Sequence, residues 1–319
     1  MPEPALPLPP AAPRAAELLL RRLEWRVLRP LDGMLQGDYR TLLRGMGIDL
    51  ADLREYQPHD DVRHIDWNVT ARLGAPHVRV FTEDREMAAW FLLDLSASVD
   101  FGPPGHTKRD QMIGFVSVLS RLLTRRGNRV GAILHGGAHQ RPVLPARSSR
   151  EHVLRLLHSL MLHGGHEEKT PSGTTRLQPL LHMAHGVLRR RSAVFLVSDF
   201  MSEPGWERPL SLLARRHDVV AVRLLDPLEL ELPDIGLVWM RDPETGERLR
   251  VDTHDAGFRR RHARLTAERE EQLRGSLARA GVDTLELSTG DDLLESMLRF
   301  MSLRGLRARR PAMHLATLQ

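Results

Sequence analysis

The stretch Ala88-Ala89-Trp90-Phe91-Leu92-Leu93-Asp94-Leu95-Ser96-Ala97-Ser98 sets the strongest limit on what this chain can fold into. An unbroken apolar run that closes on an acid has no polar face to offer water. It therefore reads as a strand covered on both sides, the situation of a parallel sheet. Its end delivers a carboxylate and two alternate hydroxyls to the edge of that sheet. Oxygen donors of this kind suit a hard divalent cation such as Mg2+ or Mn2+, whereas soft metals call for thiolate or imidazole. Alone, an acid followed by alternate serines is a weak motif, and Asp94 is equally suited to capping a helix.

The 319 residues suffice for one large domain with an appendage or for two modest domains, and 41% hydrophobic with 27% charged content is the make-up of a folded globular protein. The chain has no cysteine, which excludes disulfides, thiolate zinc sites, iron–sulfur clusters and cysteine nucleophiles together. No apolar run approaches the ~20 residues of a membrane helix, and the N-terminus lacks the basic-then-apolar order of a signal peptide, so a cytoplasmic protein is expected. Basic residues exceed acidic ones by five, and all of them except Lys108 and Lys169 are arginines interspersed with acids. A nucleic-acid binder concentrates its bases on one face, so no nucleic-acid partner is expected. The 16 histidines form no His-Glu-x-x-His pattern, and neither lysine follows a phosphate-cradling glycine loop.

Residues 1–13 hold six prolines and read as a disordered leader. After them Leu18, Leu19, Leu23, Val27 and Leu28 fall at helical spacing. Glycine-rich turns, a segment dense in charges and aromatics, and a strand over 77–83 follow, so residues 14–85 are expected to form an N-terminal helical and irregular subdomain. From Ala88 onward strands and helices alternate, the mark of an α/β fold with a mainly parallel sheet and helices on both faces. Strands are predicted over 129–134, 140–144, 193–200, 218–225 and 284–287, with a hairpin over 237–240 and 248–251. Helices are predicted around Met112 to Leu123, Val153 to Leu160 and Leu177 to Leu188, then over 255–280 and 291–300. The main domain is placed at residues 86–303 and a loose basic tail at 304–319.

In an open α/β sheet, sites lie beyond the carboxyl ends of the strands. Three loops meet that condition: one with Asp94, Ser96 and Ser98, one with Ser172-Gly173-Thr174-Thr175, and one with Asp199. Together they offer two carboxylates and three hydroxyls to one cation and leave a position for water or an outside ligand. These residues, Asp94-Leu95-Ser96-Ala97-Ser98 with Gly173-Thr174 and Val197-Ser198-Asp199, resemble the metal-ion-dependent adhesion site of von Willebrand factor type A domains, over residues 86–300. The resemblance implies a Rossmann-like fold in which Ser96, Ser98 and Thr174 bind the metal directly and Asp94 and Asp199 bind it directly or through water. Thr175 follows Thr174 directly and is open to the same role.

A second set of residues, Leu53-Arg54-Glu55-Tyr56-Gln57-Pro58-His59-Asp60-Asp61-Val62-Arg63-His64-Ile65-Asp66-Trp67 with Thr70-Ala71-Arg72 and Val78-Arg79, resembles the signature of the bacterial domain-of-unknown-function family 58. His59 departs from it, standing where a glycine is expected. Members of that family are often encoded beside a MoxR-type AAA+ ATPase, and some carry membrane helices. The resemblance implies a metal-dependent protein-interaction module, loaded with Mg2+ (or Mn2+ or Ca2+), that works as an adaptor with such an ATPase in protein assembly or maturation. A protein partner would supply an acidic residue to the metal. Arg54, Tyr56, Asp60, Asp61, Arg63, Asp66 and Trp67 are expected to form a salt-bridged, aromatic-anchored turn, with direct partner contact as the other reading. The alternative function is a metal-dependent phosphoesterase or nuclease with Asp199 as base. Hydroxyl-rich ligation leaves a cation under-neutralised, which favours capture of an external carboxylate over activation of water, so no catalytic residue is expected.

Overall fold

In the computed structural model, which describes residues 12–28, 52–57, 74–80, 88–136, 143–162 and 175–309 with positions 62, 65, 67, 70 and 71, the apolar run at Ala88 is a central strand. The chain opens with α1 (Ala12–Leu23), continued by a π-helical turn (Glu24–Leu28), and an antiparallel pair, β1 (Asp52–Glu55) and β2 (His77–Val80). The main sheet is built from β3 (Ala88–Asp94), β4 (Arg129–His135), β5 (Val143–Arg147), β6 (Ala193–Ser198), β7 (Asp218–Leu225) and β10 (Asp283–Ser288). Strands β8 (Leu237–Arg241) and β9 (Arg248–Asp252) form a separate hairpin. The helices between strands are α2 (Lys108–Arg125), α3 (Arg150–Leu162), α4 (Gln178–Val187), α5 (Glu207–Arg216), α6 (Ala256–Ala280) and α7 (Leu293–Arg309). Among the described residues no helix is long and apolar enough to cross a membrane.

The strand order is β5-β4-β3-β6-β7-β10, with every neighbour parallel except β5, which runs antiparallel to β4 at the edge. Because successive side chains of a strand point to opposite faces, β3 feeds two cores. Phe91 and Leu93 join Phe195, Val197, Val220 and Val222 under α1, α2, α3 and α7, while Trp90 and Leu92 join Val194, Leu196 and Ala221 under α4, α5 and α6. Three rings lock the first core at its centre: Phe91 stacks on Phe195 at 5.5 Å between centroids, and Phe115 meets both edge-on. Connections leave β3 toward β4 on one side while β6 lies on the other. This places the topological switch, and the crevice that goes with it, at the carboxyl ends of β3 and β6.

Three expectations shift. The edge strand runs Val143–Arg147 instead of 140–144, of which 140–142 lie outside the described residues. Its Pro145 has no N–H to give a ladder, yet it falls where the β4–β5 register slips between Val130 and Ala132, on an edge strand where proline is tolerated. Along α1 and the π-helical turn that continues it, the buried stripe is Ala16, Leu20 and Val27, with Leu18 turned outward. That stripe packs against α2 and α3, and Glu17 pairs with Arg150 at 3.1 Å, so the helix belongs to the same core as the main sheet. The helix predicted to stop at 300 continues to Arg309, so the basic tail does not begin at 304. Arg304 is buried and pairs with Asp218 at 2.6 Å and Asp283 at 2.9 Å, bolting α7 to the amino ends of β7 and β10.

Removing one member of a buried ion pair strands the others, and here the two aspartates are only partly shielded. Arg304→Ala is therefore expected to cost about 2–3 kcal/mol in denaturant unfolding, at the lower side of the range for buried pairs. A loose tail at this position would leave the midpoint unchanged.

Candidate functional site

Strand β3 ends on Asp94, whose side chain is fully buried beside β6. Its Oδ1 accepts from the Ser96 backbone N–H at 3.1 Å, and its Oδ2 accepts from the Ser198 hydroxyl at 2.7 Å. The Ser198 oxygen in turn accepts from the Phe200 N–H at 2.9 Å. After Asp94 the chain turns through Ser96 into a short 3-10 turn (Ala97–Asp100), which brings the Ser96 and Ser98 hydroxyl oxygens to 3.0 Å from each other. Gly136, just past β4, presses on this turn. With φ at +115°, a Cβ there would stand 2.7 Å from the Ser96 nitrogen and 2.6 Å from the Leu95 carbonyl carbon, so only glycine lets the two strand exits approach.

Asp199 follows β6 directly and is buried. Its Oδ1 accepts from the Met201 N–H at 3.0 Å, and between them Phe200 takes the left-handed conformation, φ 59°, with its ring held against Trp206 at 5.5 Å. Such a backbone costs a non-glycine residue about 1–3 kcal/mol and persists where the surroundings demand it. Here it turns the chain so that the Asp199 carboxylate lies against the end of β6.

The Oδ2 of Asp199 accepts from the Lys108 ammonium at 2.8 Å, and the same ammonium donates to Glu229 Oε1 at 2.7 Å. Lys108 opens α2 directly after Thr107. Thr107 and Asp110 exchange side-chain and backbone hydrogen bonds in a capping box that fixes this helix start. Glu229 rides on a helical turn (Pro227–Leu230) after β7, capped by Asp226, which itself accepts from Thr289 beyond β10 at 2.6 Å. Polar groups thus line the carboxyl edge of four adjacent strands.

Burial, with the nearby Asp199 charge adding to it, pushes the Asp94 carboxyl up to about 6 against the hydrogen bonds from Ser198 and Ser96. Burial alone would lower the Lys108 ammonium, but Asp199 and Glu229 outweigh it and hold the ammonium above its ordinary value. Burial raises Glu229, with Lys108 opposing. Two carboxylates side by side are thus only partly compensated by protein groups, an environment that favours a further cation.

The structure places Asp94, Ser96 and Ser98 at the end of β3 and on the turn after it, with Asp199 at the end of the neighbouring β6. Thr174 lies outside the described residues. Thr175, open to the same role, is engaged by the β8–β9 turn: its N–H donates to Glu244 Oε2 at 2.7 Å and its hydroxyl donates to Glu244 Oε1. Among the described residues no three histidines, aspartates or glutamates form a metal-holding group, so hydroxyls must take part in any cation site here. The chemistry fits. The Ser96 and Ser98 hydroxyls are hydrogen-bonded to each other at 3.0 Å, and since adjacent oxygens around an octahedral Mg2+ with bonds of about 2.1 Å also stand about 3.0 Å apart, the pair could turn to a cation without separating.

Of the N-terminal set, Arg54 lies on β1 facing Val78 across the pair, Tyr56 is half-buried, and Trp67 is 69% exposed. Asp60, Asp61, Arg63 and Asp66 lie outside the described residues. Sequence reasoning missed Lys108, Ser198, Glu229 and Glu244. One signal for Lys108 was present: it is one of two lysines among 46 basic residues.

An uncharacterised protein of Mycobacterium tuberculosis is 37% identical to this chain over 286 residues, covering 89% of the chain and 88% of that protein. A protein of Paracoccus denitrificans, described as uncharacterised and in the moxR 3' region, is 35% identical over 106 residues, a span that covers 33% of this chain and 100% of that protein. Among solved structures, BatB from Bacteroides thetaiotaomicron is similar with a TM-score of 0.40 at 15% identity, over 69% of this chain and 99% of that one. The model of the family described as "Protein of unknown function DUF58" matches residues 52–272, and the chain belongs to that family.

Proposed function

We propose that the chain is a metal-dependent protein-interaction module whose cation is held by Asp94, Ser96, Ser98 and Asp199, with Thr174 completing the set. The observation that carries this reading is the convergence of two buried carboxylates and two hydroxyls 3.0 Å apart at the switch point of the sheet. Mg2+ is compatible with that spacing, and it would supply a Lewis-acidic point that an external carboxylate can complete. The partner proposed is a MoxR-type AAA+ ATPase, with this chain as its adaptor. The description of the Paracoccus denitrificans relative as lying in the moxR 3' region supports that choice. The hydrolase alternative would use Asp199 as a base, and the ammonium bonded to its Oδ2 would compete for that oxygen.

Asp94→Asn keeps the shape of the side chain and removes the charge. The variant is expected to lose the rise in melting temperature that Mg2+ gives the wild type, while in chelator it melts no lower than the wild type. If calorimetry finds the same Mg2+ affinity in both, the ligand assignment is wrong.

The pH dependence follows from the same group. In the metal-free fold Asp94 holds its proton up to about 6, whereas the unfolded chain releases it near the ordinary aspartate value of 3.8. A raised acid makes the native state bind more protons than the unfolded one, so its contribution is present at low pH and is lost as pH rises from about 4 to about 6. Chelator-treated wild type should lose stability across that window relative to Asp94→Asn. Parallel pH curves for the two proteins would rule this out.

For the partner, retention of the ATPase from lysate should require both wild-type Ser96 and Mg2+. Equal retention with Ser96→Ala or in excess chelator would remove the metal from the interface.

A further inference from the structure

Lys108 is a fully buried lysine in a chain that uses arginine almost everywhere else. Its ammonium is tied to Asp199 at 2.8 Å and Glu229 at 2.7 Å and stands 5.9 Å from the centre of the Phe101 ring. Asp199 is closed to water, with a side-chain exposure of 1%, whereas Glu229 retains 22%. The ammonium therefore matters most to Asp199, because water screens part of the Glu229 charge. Any cation at Asp94, Ser96 and Ser98 meets an Asp199 that already has a positive charge bonded to it.

We propose that Lys108 tunes the ion: by neutralising Asp199 it leaves a divalent cation at Asp94, Ser96 and Ser98 with net positive charge, loosening metal binding and strengthening capture of an external carboxylate. This rests on the metal reading above and adds the residue that sets the balance between metal and ligand. The charge count gives its sign. The dication contributes two positive charges, Asp94 and Asp199 offset both, Lys108 restores one, and Glu229, bonded to the same ammonium but partly screened by water, offsets part of that one, so a fraction of a positive charge remains to face outward. Without Lys108, that fraction is lost. The ion is then held harder and attracts a carboxylate less. Glu229 acts in the opposite direction, since it draws the ammonium away from Asp199. An uncharged residue there would leave Lys108 wholly to Asp199.

The test measures two affinities in each protein. Mg2+ binding is followed by calorimetry, and carboxylate capture by the paramagnetic broadening of the acetate methyl resonance when acetate is added to Mn2+-loaded protein. Lys108→Met should bind Mg2+ about tenfold more tightly and hold acetate about tenfold more weakly. Glu229→Gln, at a partly exposed turn, should fold readily and show the mirror image, with weaker Mg2+ and tighter acetate. A merely structural lysine would move both affinities the same way or neither, and either result in the Glu229→Gln protein overturns the proposal even where Lys108→Met does not fold. If Asp94→Asn binds Mg2+ as tightly as the wild type, the metal reading itself fails. Binding that depends on Asp94 but ignores Glu229 and Lys108 leaves the metal reading standing and removes only the tuning.

Discussion

Asp94 and Asp199 stand at the carboxyl ends of neighbouring strands, both withdrawn from water, where like charges repel with little screening and each carboxylate needs donors to stay charged. Most of the local architecture answers that need. Ser198, the last residue of β6, reaches across to Asp94, and Phe200 adopts a costly backbone so that its N–H holds the Ser198 oxygen. The capping box at Thr107 starts α2 where Lys108 can enter between β6 and β7. Gly136 leaves room for the turn that carries Ser96 and Ser98. Three elements distant in sequence are thereby fixed against one another by a single pair of charges. The two aspartates shape this edge of the sheet as much as they occupy it.

Much of this was legible in the sequence where the information is local. The unbroken run from Ala88 to Leu93, the twin run from Ala193 to Val197 and the alternation of strands with helices fixed the architecture, because a strand covered on both faces leaves no polar alternation to misread. Asp94, Ser96 and Ser98 were visible for the same reason, being neighbours in the chain. Lys108 was not, since its partners lie 91 and 121 residues away and no spacing rule connects them. The edge strand was set too early, and the register slip that accommodates Pro145 is not visible in the sequence. At the end of α7 the arginines of the last turns resembled a solvated tail. Only the fold shows that Arg304 faces two aspartates at strand starts.

The cost of this edge separates it from the rest of the molecule. Elsewhere local preference and tertiary structure agree: β6 and β7 are valine-rich and apolar, Asp255 caps α6, and Gly281 ends that helix in the left-handed conformation that glycine adopts without strain. Around Asp94 and Asp199 the agreement breaks. A left-handed phenylalanine, a fully buried lysine and two carboxylates without water lie within a few side chains of each other, and each lowers the stability of a fold that apolar residues could have closed more cheaply. Departures from local consistency that cluster at the switch point of a sheet, and not at scattered positions, are what a binding site leaves in a structure. The kind of site follows from which groups remain uncommitted. Both acids already accept hydrogen bonds, and burial beside the Asp199 charge holds the Asp94 carboxyl above its ordinary range. The proposed cation would engage the hydroxyls of this edge and its unbalanced negative charge, and a partner's acid would complete the shell of that cation.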